Sequence, residues 1–262
     1  MVGYQNVPVT QALLEAVERE AAGETIAEVR IGLGYTAVVL EDGRTGIAYT
    51  LQGGPKACCA ILDEAGSLKG RRAEELLHRA FTGHGVWRSI GVATINAMAP
   101  QGDLPEVEGN IVEFLNAGKD DRVGMVGYFA PLMTLKERVG ELIVMEDQPL
   151  DAPHIHPSHL EQQLLPGCTV AILTAVTVVN GTFDKVIRHC GDAREIVLLG
   201  PSTPMYPQVL APYGITVLGG IRVADFAELL RVIGEGGGTR QLGATVRKVN
   251  VRIPKAGNRA GT

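Results

Sequence analysis

The sequence predicts an α/β protein in two parts: an α+β unit at the amino end, then, from about residue 118, a Rossmann-like domain with a five-stranded parallel sheet. Three observations carry this. Beyond Asp121 short apolar runs alternate with stretches of helical spacing, the pattern of repeated β-α units. Before residue 118 the order differs, with one amphipathic stretch, three short β-rich runs and then more helix. Glycine is the compositional outlier, 33 of 262 residues, and it gathers where segments end, as many tight turns require. At ~100–200 residues per domain the length suits two modest domains, 1–117 and 118–262.

Within the first part, residues 10–22 place Leu13, Ala16, Val17 and Ala21 on one side of a helix, with Thr10 as its cap and Gly23 as its stop. Strands are expected at 27–33, 36–41 and 45–51, the last two joined by the hairpin signal Asp42-Gly43. Ala73, Leu76, Leu77, Ala80 and Phe81 repeat at helical spacing. Ser89 is suited to cap a helix over 90–98, whose Gly91, Ala93 and Ala97 permit close packing. Residues 100–109, with Asp103, read as a loop, and 110–116 as a short helix ending at Ala117-Gly118.

In the second part strands are expected at 123–127, 141–145, 169–174, 195–199 and 215–218. Helices are expected near 131–139, 158–164, 183–189, 204–210 and 223–233. Right-handed crossovers lead to the strand order 3-2-1-4-5, with its switch point between strands one and four. The alternating stretch 245–253 returns as an edge strand.

Composition narrows the function classes. With 45% hydrophobic and 20% charged residues and a net charge of −5, this is an ordinary soluble composition. A pI near 5.7 and 5% aromatics leave no basic footprint or stacking platform for nucleic acid. Residues 1–20 show no signal-peptide pattern, and the longest apolar run, 169–179, is far short of a membrane span of ~20 residues, so a cytoplasmic protein is expected. Cys58, Cys59, Cys168 and Cys190 show no CxxC spacing and read as reduced thiols.

Open parallel sheets bind ligands beyond the carboxyl ends of their strands, at the switch point. Two walls follow from the expected order, Gly127-Tyr128-Phe129-Ala130-Pro131 after strand one and Gly200-Pro201-Ser202-Thr203-Pro204 after strand four. Both run into helices, with Pro131 and Pro204 suited to a first position and Thr203 to a cap, and helix starts attract anions. A third wall is the run from Thr177 through Asn180 and Gly181 to Thr182, whose other reading is turn and capping duty. Glu146 stands where a ribose-binding acid would, but Gly124 and Gly127 do not have the GxGxxG spacing, which argues against NAD. His154, His156 and His159 form an HxHxxH run beside Glu146, Asp147 and Asp151, a ligand set for a borderline metal or a solvated polar loop. No GxSxG, P-loop or HExxH motif is present, so no nucleophile is named.

These residues carry a family resemblance. The series Gly124-Met-Val-Gly-Tyr-Phe-Ala-Pro-Leu132, Glu146, Thr177-Val-Val-Asn-Gly-Thr182, Gly200-Pro-Ser-Thr-Pro204, Gly219-Gly220 and Glu235-Gly-Gly-Gly238 resembles the "putative heavy-metal chelation" family. Thr36-Ala-Val, Gly46-Ile-Ala-Tyr-Thr50, Gly66-Ser-Leu-Lys-Gly70 and Gly91-Val-Ala-Thr-Ile-Asn-Ala97 resemble the partner domain of that family. The resemblance implies an enolase-N-terminal-like domain followed by a Rossmann-like domain, with a ligand site between them that takes in Gly219. It implies a role in metal chelation or metal-chelate handling, with a transition metal (zinc, nickel, cobalt or iron) as cofactor or cargo. Two alternatives stay open: an enzyme acting on a small anionic metabolite or nucleotide without a metal, and a non-catalytic ligand sensor. The expected partners are a small-molecule or metal-chelate ligand and, for assembly, a second copy of the chain.

Overall fold

The computed structural model describes residues 7–52, 62–100, 105–147 and 152–254. The adjacent Cys58-Cys59 pair, Asp103 and Asp151 lie outside the described residues. Helix α1 (Val9–Ala21) buries Leu13, Val17 and Ala21. It starts directly after Pro8, so Thr10 is a buried helical residue and not the cap expected of it. Strands β1 (Ile26–Ile31), β2 (Tyr35–Leu40) and β3 (Thr45–Tyr49) form an antiparallel meander, with Gly43 at φ +87° in the Asp42-Gly43 turn.

Helices α2 (Ala73–Leu77), α3 (Arg79–Thr82) and α4 (Val86–Ala97) follow the meander. Helix α4 starts earlier than expected, and Ser89 lies inside it, where its Oγ accepts the Leu51 N–H at 2.9 Å. All six residues of β2 are buried, as a strand covered on both faces must be. On one side β3 lies against α4 with no side chain between them at Gly46, where an added Cβ would be 2.1 Å from Ala97 N.

The large sheet contains β4 (Val107–Glu108), β5 (Arg122–Val126), β6 (Glu141–Met145), β7 (Ile155–His156), β8 (Val170–Thr174), β9 (Glu195–Leu199), β10 (Val217–Val223) and β11 (Val246–Arg252). Its order is β4-β11-β10-β9-β8-β5-β6-β7. Among these, β11 pairs antiparallel with β10 and with β4, and the other pairings are parallel. The connecting helices are α5 (Ile111–Phe114), α6 (Glu161–Leu164), α7 (Val176–Asn180), α8 (Phe183–Val186), α9 (Pro207–Leu210), α10 (Phe226–Gly234) and α11 (Thr239–Leu242), with a 3-10 helix at Ala130–Glu137. Both β4 and α5 precede residue 118, and β4 is paired into this sheet.

The five strands expected to be parallel are parallel, but their order corrects the expectation. Counting them from β5, the sheet runs 2-1-3-4-5, not 3-2-1-4-5: β8 lies between β5 and β9, so strands one and four are not neighbours. Two features account for this. The outer edge of β6 is taken by β7, formed by the chain immediately after it, so β8 cannot add there. The segment Val170–Thr174 is also among the most apolar in the chain, and a central place buries both its faces. The switch point therefore falls between β5 and β8.

Two buried clusters cross from one sheet to the other. Tyr35, Ala37, Val39 and Ile47 from the meander join Leu229, Leu230, Ile233 and Leu242 from α10 and α11. A larger cluster joins α1 and α4 to strands β5, β6, β8 and β9. Polar ties add to this: Val9 N donates to Asp184 Oδ1 at 3.0 Å, and Tyr213 Oη to Val7 O at 2.7 Å. The third cluster, with Val123, Val144, Ile172 and Val197, lies on the remaining face of the large sheet.

Candidate functional site

The meander and α4 lie against the loop that leaves the carboxyl end of β9. Ser202 Oγ in that loop accepts the Tyr49 N–H at 2.8 Å. Asn96 Nδ2 donates both to Ile47 O at 2.8 Å and to Ser202 O at 3.1 Å. Gly220 lets the loop lie flat on β10, since a Cβ there would meet Met205 Sδ at 2.5 Å. Tyr206 donates to Ile95 O at 3.0 Å, and burial pushes its phenol far above the ordinary range, so it acts as a fixed donor and not as a base.

Between these elements is a cavity of about 180 Å³. Thr45, Ile47, Asn96 and Ala99 line it on the meander side, and Pro201, Thr203, Glu106, Arg222 and Arg247 on the large-sheet side. Asn96 uses both amide hydrogens at the junction, and its Oδ1 is buried with no partner among the described residues. A buried acceptor left in that state costs ~1–3 kcal/mol. Guanidinium groups cannot ligate a metal, so this wall suits an anionic organic group more than a bare ion.

The residues expected at the site fall into three groups. Pro201 and Thr203 line the cavity, and Ser202, Gly200 and Gly219 frame it: Gly219 O accepts from Gly200 N and from Thr203 Oγ1, both at 2.9 Å. Thr203 does not cap a helix, because α9 begins at Pro207 and Pro204 is still in the loop. Gly127, Phe129, Pro131 and Glu146 form a separate group across β8, where Glu146 Oε2 accepts the Tyr128 N–H at 2.9 Å. Gly127, at φ +90°, brings the chain close to Thr174. The third group is on α7. Thr177 Oγ1 donates to Thr174 O at 2.7 Å, and Asn180 Oδ1 accepts from Thr182 N and Oγ1 at 3.0 and 2.8 Å, which closes a turn.

The histidine run does not converge. His154 and His156 flank Ile155 on β7, while exposed His159 lies beyond Pro157 in a 3-10 turn. His154 Nδ1 is buried without a partner among the described residues. Among those residues no three His, Cys, Asp or Glu side chains gather where one ion could be held. The order of the sheet explains this, because pairing with β6 draws the run out as a strand instead of folding it back on itself.

Sequence reasoning did not single out Asn96, Arg222, Arg247, Glu106 or Thr45. The available signal was an arginine inside each of two strand-like stretches and one asparagine in a helix of small and apolar residues. What brings them together is the β10–β11 register and the seating of α4, neither of which a local pattern encodes.

Fold and cavity define a class: a two-sheet α/β protein, with one mostly parallel and one antiparallel sheet, and a polar cavity where the two meet. Residues 110–252 match the family described as "Putative heavy-metal chelation", and residues 14–99 match a second family described in the same words; the chain belongs to this family. A crystal structure of a family protein of unknown function from Pyrococcus horikoshii superposes with a TM-score of 0.79 at 22% identity, covering 94% of this chain and 100% of that one. A second, from Desulfitobacterium hafniense, gives 0.74 at 22% identity, covering 92% and 98%. An uncharacterized protein of Methanocaldococcus jannaschii is 26% identical over 165 residues, and the chain spans 64% of its length. These likenesses show the fold. No helix among the described residues is long and apolar enough to cross a membrane.

Proposed function

We propose that this protein handles metal as a chelate, binding a small anionic ligand in the cavity between its two sheets. The observation that carries the reading is the cavity wall itself: Arg247, Arg222 with its partner Glu106, Thr45, Thr203 and Asn96, contributed from both sides of the junction. A zinc, nickel, cobalt or iron ion would arrive with most of its ligands supplied by the chelator, and the protein would recognise the chelator. Of the residues expected from sequence, Pro201, Thr203 and the Ser202 and Gly219 frame belong to this site. Gly127, Phe129, Pro131 and Glu146 would serve it only by shaping the neighbouring crevice.

Protein purified without an affinity tag should carry a retained small molecule in native mass spectrometry, with metal in stoichiometric amount by elemental analysis. Thr203→Val should weaken its rebinding roughly 5- to 150-fold, the effect of ~1–3 kcal/mol for one polar contact in an enclosed site. Asn180→Ala should leave binding intact, because its partners are within its own turn. Normal retention in Thr203→Val combined with loss in Asn180→Ala would move the site to α7.

The histidine run provides a separate check. The double variant His154→Ala, His156→Ala should keep the wild-type metal content of tag-free protein. Metal loss in this variant, with unchanged melting, would transfer the metal to β7 and overturn the chelate reading.

A further inference from the structure

We propose that the cavity takes a small polycarboxylate, a class of acid that chelates metal ions through oxygen, and that Arg247 is the residue that recognises its acid group. This rests on the cavity being the ligand site. Arg222 and Arg247 stand directly opposite one another on the antiparallel strands β10 and β11, and both line the cavity. Opposed residues have Cβ atoms ~4.5–5.5 Å apart, and like charges so placed repel. The fold keeps two cations side by side at one wall, which is the arrangement a single oxyanion can bridge.

The two arginines are held differently. Arg222 is nearly buried and fixed: Nε and Nη2 donate to Glu106 Oε1 at 2.8 and 2.5 Å, and Nη2 also to Pro100 O at 2.6 Å. Its Nη1 makes no hydrogen bond among the described residues. Arg247 is 56% exposed, and its Nη1 is 3.5 Å from Glu108 Oε2, a loose surface pair. Such pairs contribute ~0–1 kcal/mol, so Arg247 can turn to a ligand at little cost while Arg222 stays in place.

Size narrows the class. About 180 Å³ is the share of roughly six waters, enough to seat the greater part of an acid of citrate's size, with the remainder on the open side where Arg247 is exposed. One acid group for the arginines and further carboxylates for a metal are together what a small chelating polycarboxylate offers.

Calorimetry with citrate and with inorganic phosphate tests this on the full chain. Citrate should bind the wild type, and inorganic phosphate more weakly. Arg247→Gln should weaken citrate roughly 10- to 100-fold with unchanged melting, as loss of a charge-assisted hydrogen bond does. Glu108→Gln should tighten it about 2- to 5-fold by removing the competing carboxylate, a gain that should disappear in the Arg247→Gln background. Phosphate binding without citrate binding, or no citrate binding at millimolar concentration, overturns the ligand class. Wild-type citrate affinity in Arg247→Gln overturns the role of Arg247; the cavity reading then survives if Thr203→Val weakens citrate and fails with it if neither variant does.

Discussion

Gly46→Ala is expected to destabilise the protein by about 3 kcal/mol or more, the upper range for overpacking a core position. The added Cβ would lie 2.1 Å from Ala97 N, 2.2 Å from Ala93 O and 2.6 Å from Asn96 C. All three are backbone atoms of α4, so no side chain can swing aside; β3 must separate from the helix. The same shift would pull Asn96 from Ile47 O and Ser202 O and open the cavity. Urea unfolding followed by the fluorescence of Trp87, the single tryptophan, reads the change. Gly118→Ala, where a Cβ meets nothing within 4 Å, is the control and should stay within ~0.5 kcal/mol of wild type. Equal midpoints for the two variants would show that β3 and α4 are not in direct backbone contact.

Ile233→Ala should cost ~2–5 kcal/mol, the range for truncating a fully buried aliphatic side chain. It should do so in one transition common to both sheets. Ile233 is 0% exposed and belongs to α10, yet its cluster includes Tyr35, Ala37, Val39 and Ile47 of the meander. Trp87 reports the amino-terminal part, and far-UV circular dichroism reports the whole chain. Coincident urea curves, displaced together, are the expected result. A displaced dichroism curve beside an unmoved fluorescence curve would mean that the two sheets unfold independently, and that the cavity between them can open by separation.

The sequence made the strands of the large sheet legible, because a buried parallel strand must be a short, nearly continuous apolar run between turn residues. Segments such as Val170–Thr174 and Glu195–Leu199 have that form, and Asp42-Gly43 marks its hairpin through the positive φ that glycine permits. Helix starts were less legible. Thr10 and Ser89 have the chemistry of caps, but each is used inside its helix, Ser89 to receive the Leu51 N–H. A hydroxyl near a helix start can serve the helix or a neighbouring strand, and only the packed neighbour decides which.

Of the candidate site, the Gly200–Pro204 loop was legible, since proline and glycine crowd the exit of a strand where a ligand site can form. Asn96, Arg222 and Arg247 were not, because each is defined by a partner far away in the chain. What the sequence by itself determined is the set of elements, their alternation and the polar loops at the strand ends, all consequences of local periodicity and turn chemistry. The tertiary structure alone decided that β8 lies between β5 and β9, that the histidine run is drawn out along β6, and that two arginines 25 positions apart face one cavity. Strand order and register depend on which edges are already occupied and which faces are covered, and that is a property of the assembled chain, not of any window within it.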